Sequence, residues 1–207
     1  PEAFRVIDEA IADGVTPEAV VFQIIIPAIE NMINALATDI DITISQHFIA
    51  AQVAEELTEK MLLLFEKKPS IEGRVVIGTP PGDFHGLGKK IVSGCLRANM
   101  FLVKDLGLNI TPEQFVDEAL AYDAQVIGIS SMMIHTATGE DGPRGVKTRL
   151  LERGVADRIK LVVGGAPYRF DPNLYRQVQA DAYADDGVSA AGMISDLIKE
   201  MNNGQRI

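Results

Sequence analysis

The fold is decided by Val75-Val76-Ile77-Gly78-Thr79-Pro80-Pro81-Gly82-Asp83-Phe84-His85-Gly86-Leu87-Gly88, an apolar run that leads into a glycine-rich loop. The apolar run predicts a buried strand, and the segment from Lys89 to Ala98 predicts a helix, so the loop leaves the carboxyl end of a strand. Open α/β sheets bind their ligands at that edge. An imidazole there can bind a metal through one ring nitrogen while Asp83 accepts a hydrogen bond from the other. His85 is therefore a candidate metal ligand.

Strands and helices alternate from this stretch to near the end of the chain. Apolar, β-branched runs predict strands at 75–77, 101–103, 126–129, 161–163 and, more weakly, 182–184. Helices are predicted at 88–99, 112–122, 145–153, 172–178 and 188–201. Five strands that each precede a helix indicate a parallel sheet covered on both faces. Right-handed crossovers then favour a doubly wound, flavodoxin-like or Rossmann-like α/β fold.

The first third of the chain is predicted to be helical. Apolar residues repeat at helical spacing from Phe4 to Ile11, and Thr16-Pro17-Glu18 is typical of a helix start. Pro27 is expected to kink or split the second helix, and Ser45 to begin a third. We predict a helical bundle over 1–68 and a sheet domain over 69–207, joined by a charged, Pro- and Gly-containing linker at 67–73.

Composition excludes several classes of function. Of 207 residues, 47% are hydrophobic and 23% charged, and the net charge of −10 argues against a general nucleic-acid binder. Apolar stretches are too short to span a bilayer, and the first residues lack a signal-peptide layout, so we expect a cytoplasmic protein without membrane partners. The single cysteine, Cys95, cannot form an internal disulfide and is expected to be a small buried hydrophobe.

Four loops at the predicted carboxyl edge carry candidate ligand-binding residues. Besides 83–88, they are 130–136 after the third strand, 164–167 after the fourth and 183–187 after the fifth. His135 shares this edge but is expected to be a loop histidine, and His47 to face solvent or cap a helix. From the residues alone, 82–88 could instead cradle a phosphate, although Asp83 would repel that anion.

The motifs Asp83-x-His85-x-x-Gly88, Ser130-Ser131-Met132 and Gly164-Gly165 resemble those of corrinoid carrier proteins of methyltransferase systems, and of the cobalamin-binding module of methionine synthase. In that family a helical cap precedes a Rossmann-like cobalamin-binding domain. The resemblance covers essentially the whole chain and is best from Arg74 to Met201. The sequence departs from the family at Met132, Ile134 and Lys90, where leucine, threonine and asparagine are usual; none of these is the ligand.

The resemblance implies cobalamin as the cofactor and His85 as the lower cobalt ligand, in a base-off, His-on state. It further implies that Asp83 holds the histidine, that the Thr136 hydroxyl hydrogen-bonds Asp83, and that Ser130 lies beside the nucleotide tail. The paired glycines would let that tail enter between strands. The implied cofactor-binding residues are Asp83, Phe84, His85, Gly86, Gly88, Ser130, Met132, Thr136, Gly164, Gly165, Ala166, Tyr183, Asp186 and Gly187.

The resemblance also implies a methyl carrier that is not catalytic alone. Its expected partners are a substrate-specific methyltransferase, an acceptor methyltransferase acting on a folate or a thiol, and a reductive activator, and an O-demethylase system is the favoured setting. The bundle is expected to cap the cofactor and to move aside on the linker. The alternatives are a cobalamin-dependent sensor, a subunit of a carbon-skeleton mutase and a cofactor-free interaction domain. The acidic balance and the lack of a basic recognition helix disfavour the sensor.

Overall fold

The computed structural model describes residues 2–25, 27–28, 31–32, 43–64 and 72–204. The helices are α1 (Glu2–Ala12), α2 (Pro17–Ala19), α3 (Ile44–Leu62), α4 (Leu87–Ala98), α5 (Pro112–Ala121), α6 (Ile134–Thr138), α7 (Pro143–Glu152), α8 (Ala166–Phe170), α9 (Leu174–Gln177) and α10 (Gly187–Gly204). The strands are β1 (Gly73–Gly78), β2 (Phe101–Gly107), β3 (Val126–Ser130), β4 (Lys160–Gly164) and β5 (Ala182–Ala184).

The five strands form one parallel sheet in the order β2-β1-β3-β4-β5, which confirms the predicted flavodoxin-like arrangement. Side chains alternate between the two faces of each strand. On β1, Val76 packs with Phe115 of α5, whereas Val75 packs on the other face with Leu96 of α4 and Ile194 of α10. Both faces are therefore buried, and the ligand-binding edge is left to the loops at the strand ends.

The amino-terminal helices begin where side-chain caps are available. The Thr16 hydroxyl accepts a hydrogen bond from the Ala19 amide at the start of α2. Thr43 forms a capping box with Gln46, and α3 begins at Ile44, one residue before the predicted start at Ser45. The second helix differs from the prediction: α2 continues as a π-helix over Val20–Ile25. This wider turn lies directly before Pro27, which cannot donate to the carbonyl four residues earlier and crowds it.

The amino-terminal helices pack on the outer face of α4. Val20, Val21, Leu57 and Met61 form one apolar cluster that includes residues of the α4 segment: Cys95, Ala98 and Met100. Cys95 is buried, as predicted, and burial raises the pKa of its thiol to about 12. Of the predicted linker, 67–71 lie outside the described residues. Within the described part of the chain, no helix is long and apolar enough to cross a membrane.

Two segments that the sequence predicted as loops contain short helices. The 130–136 segment runs into α6, so that Thr136 lies on a helix, and the 164–167 segment runs into α8, which includes Ala166. Each has only five residues, which is too short for a helical period to be visible in the sequence. The Tyr168 hydroxyl of α8 donates to the Ala137 carbonyl of α6 over 3.0 Å, so these two helices hold the neighbouring loops together.

Candidate functional site

A tight turn carries the chain from β1 into the site. The Asp83 amide donates to the Pro80 carbonyl over 3.0 Å, and Gly82 has a φ of +79°. A type II turn requires a positive φ at its third position, which Gly82 supplies, and proline is common at its second. The Pro80–Asp83 turn therefore fixes the position of the Asp83 main chain.

Asp83 lies at the centre of the site and is fully buried. Its Oδ1 accepts from the His85 amide at 3.1 Å and lies 3.0 Å from His85 Nδ1. Its Oδ2 accepts from the Met132 amide at 2.7 Å and from the Thr136 hydroxyl at 2.8 Å. The hydrogen bonds predicted from Asp83 to His85 and to Thr136 are both present, and they join the loops after β1 and β3.

These bonds keep the Asp83 carboxylate charged. Burial alone would raise its pKa, but the bonds from the Met132 and His85 amides, from the Thr136 hydroxyl and from the His85 ring together lower the pKa below its ordinary value. An ionised carboxylate only accepts hydrogen bonds, so the proton of a neutral His85 lies on Nδ1. The lone pair is then on Nε2, the atom that a metal would bind.

The His85 ring is open to solvent although its partner is buried. Its side chain is 54% exposed, and among the described residues Nε2 has no hydrogen-bond partner. Phe84 beside it is 68% exposed, and Met132 and Ile134 across the Asp83 bond are 53% and 59% exposed. An exposed imidazole on a loop edge that also presents exposed apolar side chains suits a large, flat ligand with a metal at its centre.

The predicted glycines differ in what they accommodate. A side chain on Gly88 would meet only the Ser130 hydroxyl, at 3.5 Å, and one on Gly164 would lie 3.2 Å from the Ala184 carbonyl. Gly165 has a φ of +110°, and a Cβ there would lie 2.0 Å from the Ser131 carbonyl oxygen. A Cβ on Gly187 would lie 2.6 Å from Cys95 Sγ. Packing within the protein is therefore sufficient to require glycine at 165 and 187, and a cofactor role for them stays a prediction.

Ser131 is a feature that the sequence reasoning missed. It is 1% exposed, and its hydroxyl is the one buried side-chain polar atom without a hydrogen-bond partner in the described residues. Its amide donates to the Gly164 carbonyl, so it lies beside the paired glycines. A buried hydroxyl without a partner is costly. A polar ligand group entering beside Gly164 would supply one, which fits the nucleotide tail of the predicted cofactor.

The remaining predicted residues have other roles in the structure. Gly86 lies against Leu108, where a Cβ would be 3.1 Å from a methyl carbon. Asp186 accepts from the Ser189 amide at 2.8 Å at the start of α10, and Tyr183 stacks on Tyr175 with ring centroids 5.3 Å apart. Their contacts with a cofactor stay predictions.

Among the described residues, His85 is the only histidine that is hydrogen-bonded to Asp83. His135 is exposed on α6, and the side chain of His47 lies outside the described residues. Among the described residues, no group of three or more His, Cys, Asp or Glu side chains could hold a metal ion.

Comparison with known proteins identifies relatives of the chain. The family described as the B12 binding domain matches residues 73–192. Dimethylamine corrinoid protein 3 of Methanosarcina acetivorans is 36% identical over 126 residues, 61% of this chain. The chain spans only 57% of the length of that relative.

One further relative and one solved structure match nearly the whole chain. Trimethylamine corrinoid protein 2 of Methanosarcina mazei is 30% identical over 95% of this chain and 89% of the relative. The crystal structure of the methanol:cobalamin methyltransferase complex MtaBC from Methanosarcina barkeri contains a chain that matches the fold with a TM-score of 0.68 at 22% identity. That match covers 93% of this chain and 72% of the other.

Proposed function

Because the chain belongs to the family of B12-binding domains, whose cofactor is cobalamin, we propose that it is a corrinoid protein that carries a methyl group within a methyltransferase system. The observation that carries the proposal is the pairing of a buried, ionised Asp83 with an exposed His85 at the carboxyl edge of the sheet. We propose His85 Nε2 as the lower ligand of cobalt, in a base-off, His-on state.

When bound, cobalamin supplies a cobalt centre that can accept a methyl group and give it up again. The chain supplies orientation and electronic tuning. Asp83 Oδ1 holds the proton on His85 Nδ1, which fixes the tautomer and makes Nε2 a better donor. The Thr136 hydroxyl and the Met132 amide hold the other carboxylate oxygen, so the carboxylate cannot rotate away from the ring.

Other residues of the site would hold the rest of the cofactor. The exposed apolar side chains of Phe84, Met132 and Ile134 suit contact with the macrocycle. The Ser131 hydroxyl, which lacks a partner among the described residues, and the missing side chains at Gly88 and Gly164 suit the nucleotide tail. We keep Ser130, Gly165, Ala166, Tyr183, Asp186 and Gly187 as proposed neighbours of that tail.

The partners follow from what a carrier needs. We propose a substrate-specific methyltransferase that loads the methyl group, an acceptor methyltransferase that removes it to a folate or a thiol, and a reductive activator. The relatives named for dimethylamine and trimethylamine favour a methylamine as methyl donor. Aromatic methyl ethers, the donors of an O-demethylase system, are the competing class, and methyl-transfer assays with the two donor types distinguish them.

Reconstitution with hydroxocobalamin tests the proposal. We expect uptake of one cobalamin per chain and a visible spectrum that changes in His85→Ala but not in His135→Ala, the matched histidine control at the same edge of the sheet. Failure to bind, or identical spectra from all three proteins, would contradict His85 ligation.

A further inference from the structure

We propose that Thr79 is a positioning residue for the cobalt ligand, acting on His85 through Asp83 with the help of Asn109. The proposal rests on the proposed function, because it concerns how the chain holds the histidine. Thr79 directly follows β1 and is fully buried. In the described part of the chain no hydrogen bond joins either residue to His85, so the proposed effect on the ligand passes through Asp83 and the turn before it.

The Thr79 hydroxyl makes two bonds of opposite sense. It donates to the Asp83 backbone carbonyl over 2.6 Å and accepts from the backbone N–H of Asn109 at 3.0 Å. The Thr79 carbonyl also accepts from the Ile110 amide at 2.8 Å, which extends the contact between the segments after β1 and β2. A buried hydroxyl with both donor and acceptor used has one orientation, so the Asp83 carbonyl is held in one place.

Asn109 holds the turn that precedes Asp83. Its Oδ1 accepts from the Gly82 amide at 2.8 Å. That amide belongs to the central peptide of the Pro80–Asp83 turn, and rotating this peptide by about 180° is what separates a type II from a type I turn. Glycine tolerates either orientation, so the acceptor on Asn109 selects between them.

The two contacts hold Asp83 from the side opposite to its carboxylate. The main chain of Asp83 is fixed by Thr79 and by the turn, and the carboxylate is fixed by Met132, Thr136 and His85. Since His85 is only two residues further on and more than half exposed, few other contacts determine where its ring points. Thr79 therefore contributes to the direction of Nε2.

Isosteric substitution of Thr79 separates the hydroxyl from the side-chain volume. Thr79→Val keeps the shape and removes the hydroxyl, and Thr79→Ser keeps the hydroxyl. In the cofactor-free protein we expect about three- to tenfold faster amide hydrogen exchange at Asp83, His85 and Met132 in Thr79→Val, and near wild-type exchange in Thr79→Ser. Unchanged exchange at these three amides in Thr79→Val would overturn the proposal.

Asn109 provides a second pair of variants, whose substitutions change the Asn109 side chain and leave the Thr79 hydroxyl in place. Its φ is +59°, a conformation that glycine adopts readily, so Asn109→Gly removes the acceptor without backbone strain. Asn109→Asp retains an acceptor. We expect faster exchange at Asp83 and His85 in Asn109→Gly and recovery in Asn109→Asp, and equal behaviour of the two variants would contradict the role of the side-chain oxygen.

The cobalamin-loaded protein gives a readout that a purely structural role would not move. We expect Thr79→Val to shift the visible spectrum toward that of His85→Ala and to weaken uptake about three- to tenfold, with Thr79→Ser close to wild type. A wild-type spectrum in Thr79→Val would overturn the proposal while leaving histidine ligation intact. If the wild type bound no cobalamin, the proposed function would fail, and the exchange data alone would still decide whether Thr79 positions Asp83.

Discussion

The two ends of helix α4 present opposite kinds of surface. Its amino end, at the rim of the sheet, meets the Asp83–His85 loop, where hydrogen bonds to a buried carboxylate hold an exposed ring. Its carboxyl-terminal half packs against the amino-terminal helices through apolar side chains around Cys95 and Ala98. The rim holds exposed groups by directional hydrogen bonds, whereas the contact between α4 and the amino-terminal helices, called the docking face below, is stabilised mainly by the burial of apolar side chains.

Because of this difference, the rim and the docking face are expected to affect ligand binding and folding stability to different extents. The exposed side chains of the rim, His85, Phe84 and Met132, contribute little burial and can be changed at small cost to folding. The docking face contributes burial, and among the described residues no hydrogen bond joins its apolar cluster to the side chain of Asp83 or His85. The contrast predicts that substitutions in the docking face change stability without changing the histidine ligation, and that changes in the rim backbone affect both.

Gly165→Ala is expected to disrupt the loops at the rim of the sheet and to have the largest effect of the substitutions considered. The new Cβ would lie 2.0 Å from the Ser131 carbonyl oxygen at a φ of +110°, so the β3 and β4 loops must separate. We expect a loss of about 4 kcal/mol in the free energy of unfolding, measured by urea denaturation, and loss of cobalamin uptake. Gly154→Ala is the matched control: its φ is +66° but nothing lies within 4 Å, so about 1 kcal/mol is expected, with normal uptake. Equal effects of the two would refute the steric account.

Leu57→Ala tests the docking face. Leu57 is 5% exposed within the apolar cluster, and its truncation should lower the free energy of unfolding by about 3 kcal/mol. Leu63, 86% exposed just after the same helix, provides the control, for which Leu63→Ala should stay within about 0.5 kcal/mol. Under folding conditions the cobalamin spectrum of Leu57→Ala should match the wild type. A spectrum like that of His85→Ala would show that the two regions are coupled.

The burial of Cys95 predicts that the stability of the protein depends on pH. Burial first, and then the nearby Asp186 charge, raise the pKa of its thiol to about 12, whereas an unfolded cysteine titrates near about 8.5. Between these values the unfolded state loses its proton and the folded state keeps it, so stability falls as pH rises. We expect a loss of about 0.8 kcal/mol at about pH 9 relative to Cys95→Ala, measured by urea denaturation at matched pH. The native thiol should also resist alkylation until the protein unfolds, and fast alkylation of the folded protein would contradict its burial.

Much of the fold could be predicted because it depends on strong local signals. The β-branched runs at 75–77 and 126–129 gave strands close to their observed bounds, and strand–helix alternation led to the parallel order. The family, the cofactor and the hydrogen bonds of Asp83 to His85 and Thr136 are confirmed as well. The pairing of Asp83 with His85 was predictable from their spacing on a loop at the carboxyl edge, whereas the bond from Thr136 was implied by the family resemblance.

What the sequence did not reveal depends on contacts between distant segments. The π-helix at Val20–Ile25 and the short helices α6 and α8 have too few residues for a visible period. The need for glycine at 165 comes from the Ser131 carbonyl, 34 residues earlier, and was attributed to the cofactor alone. The unpartnered Ser131 hydroxyl and the Thr79–Asn109 contact depend equally on how loops meet. Only the adjacent serine pair offered a signal for Ser131.

Electron paramagnetic resonance of the protein loaded with Co(II) cobalamin tests whether His85 binds the cobalt. Nitrogen bound on the axis of Co(II) splits each cobalt line, and a ¹⁴N ligand gives a triplet whereas ¹⁵N gives a doublet. With ¹⁵N-labelled histidine in the protein and unlabelled cobalamin, we predict a doublet that persists in His135→Ala and disappears in His85→Ala. A triplet that persists with labelled histidine would show that the cofactor's own base binds the cobalt, and cobalt lines without nitrogen splitting would show that no nitrogen does. Either result would contradict the assignment of His85.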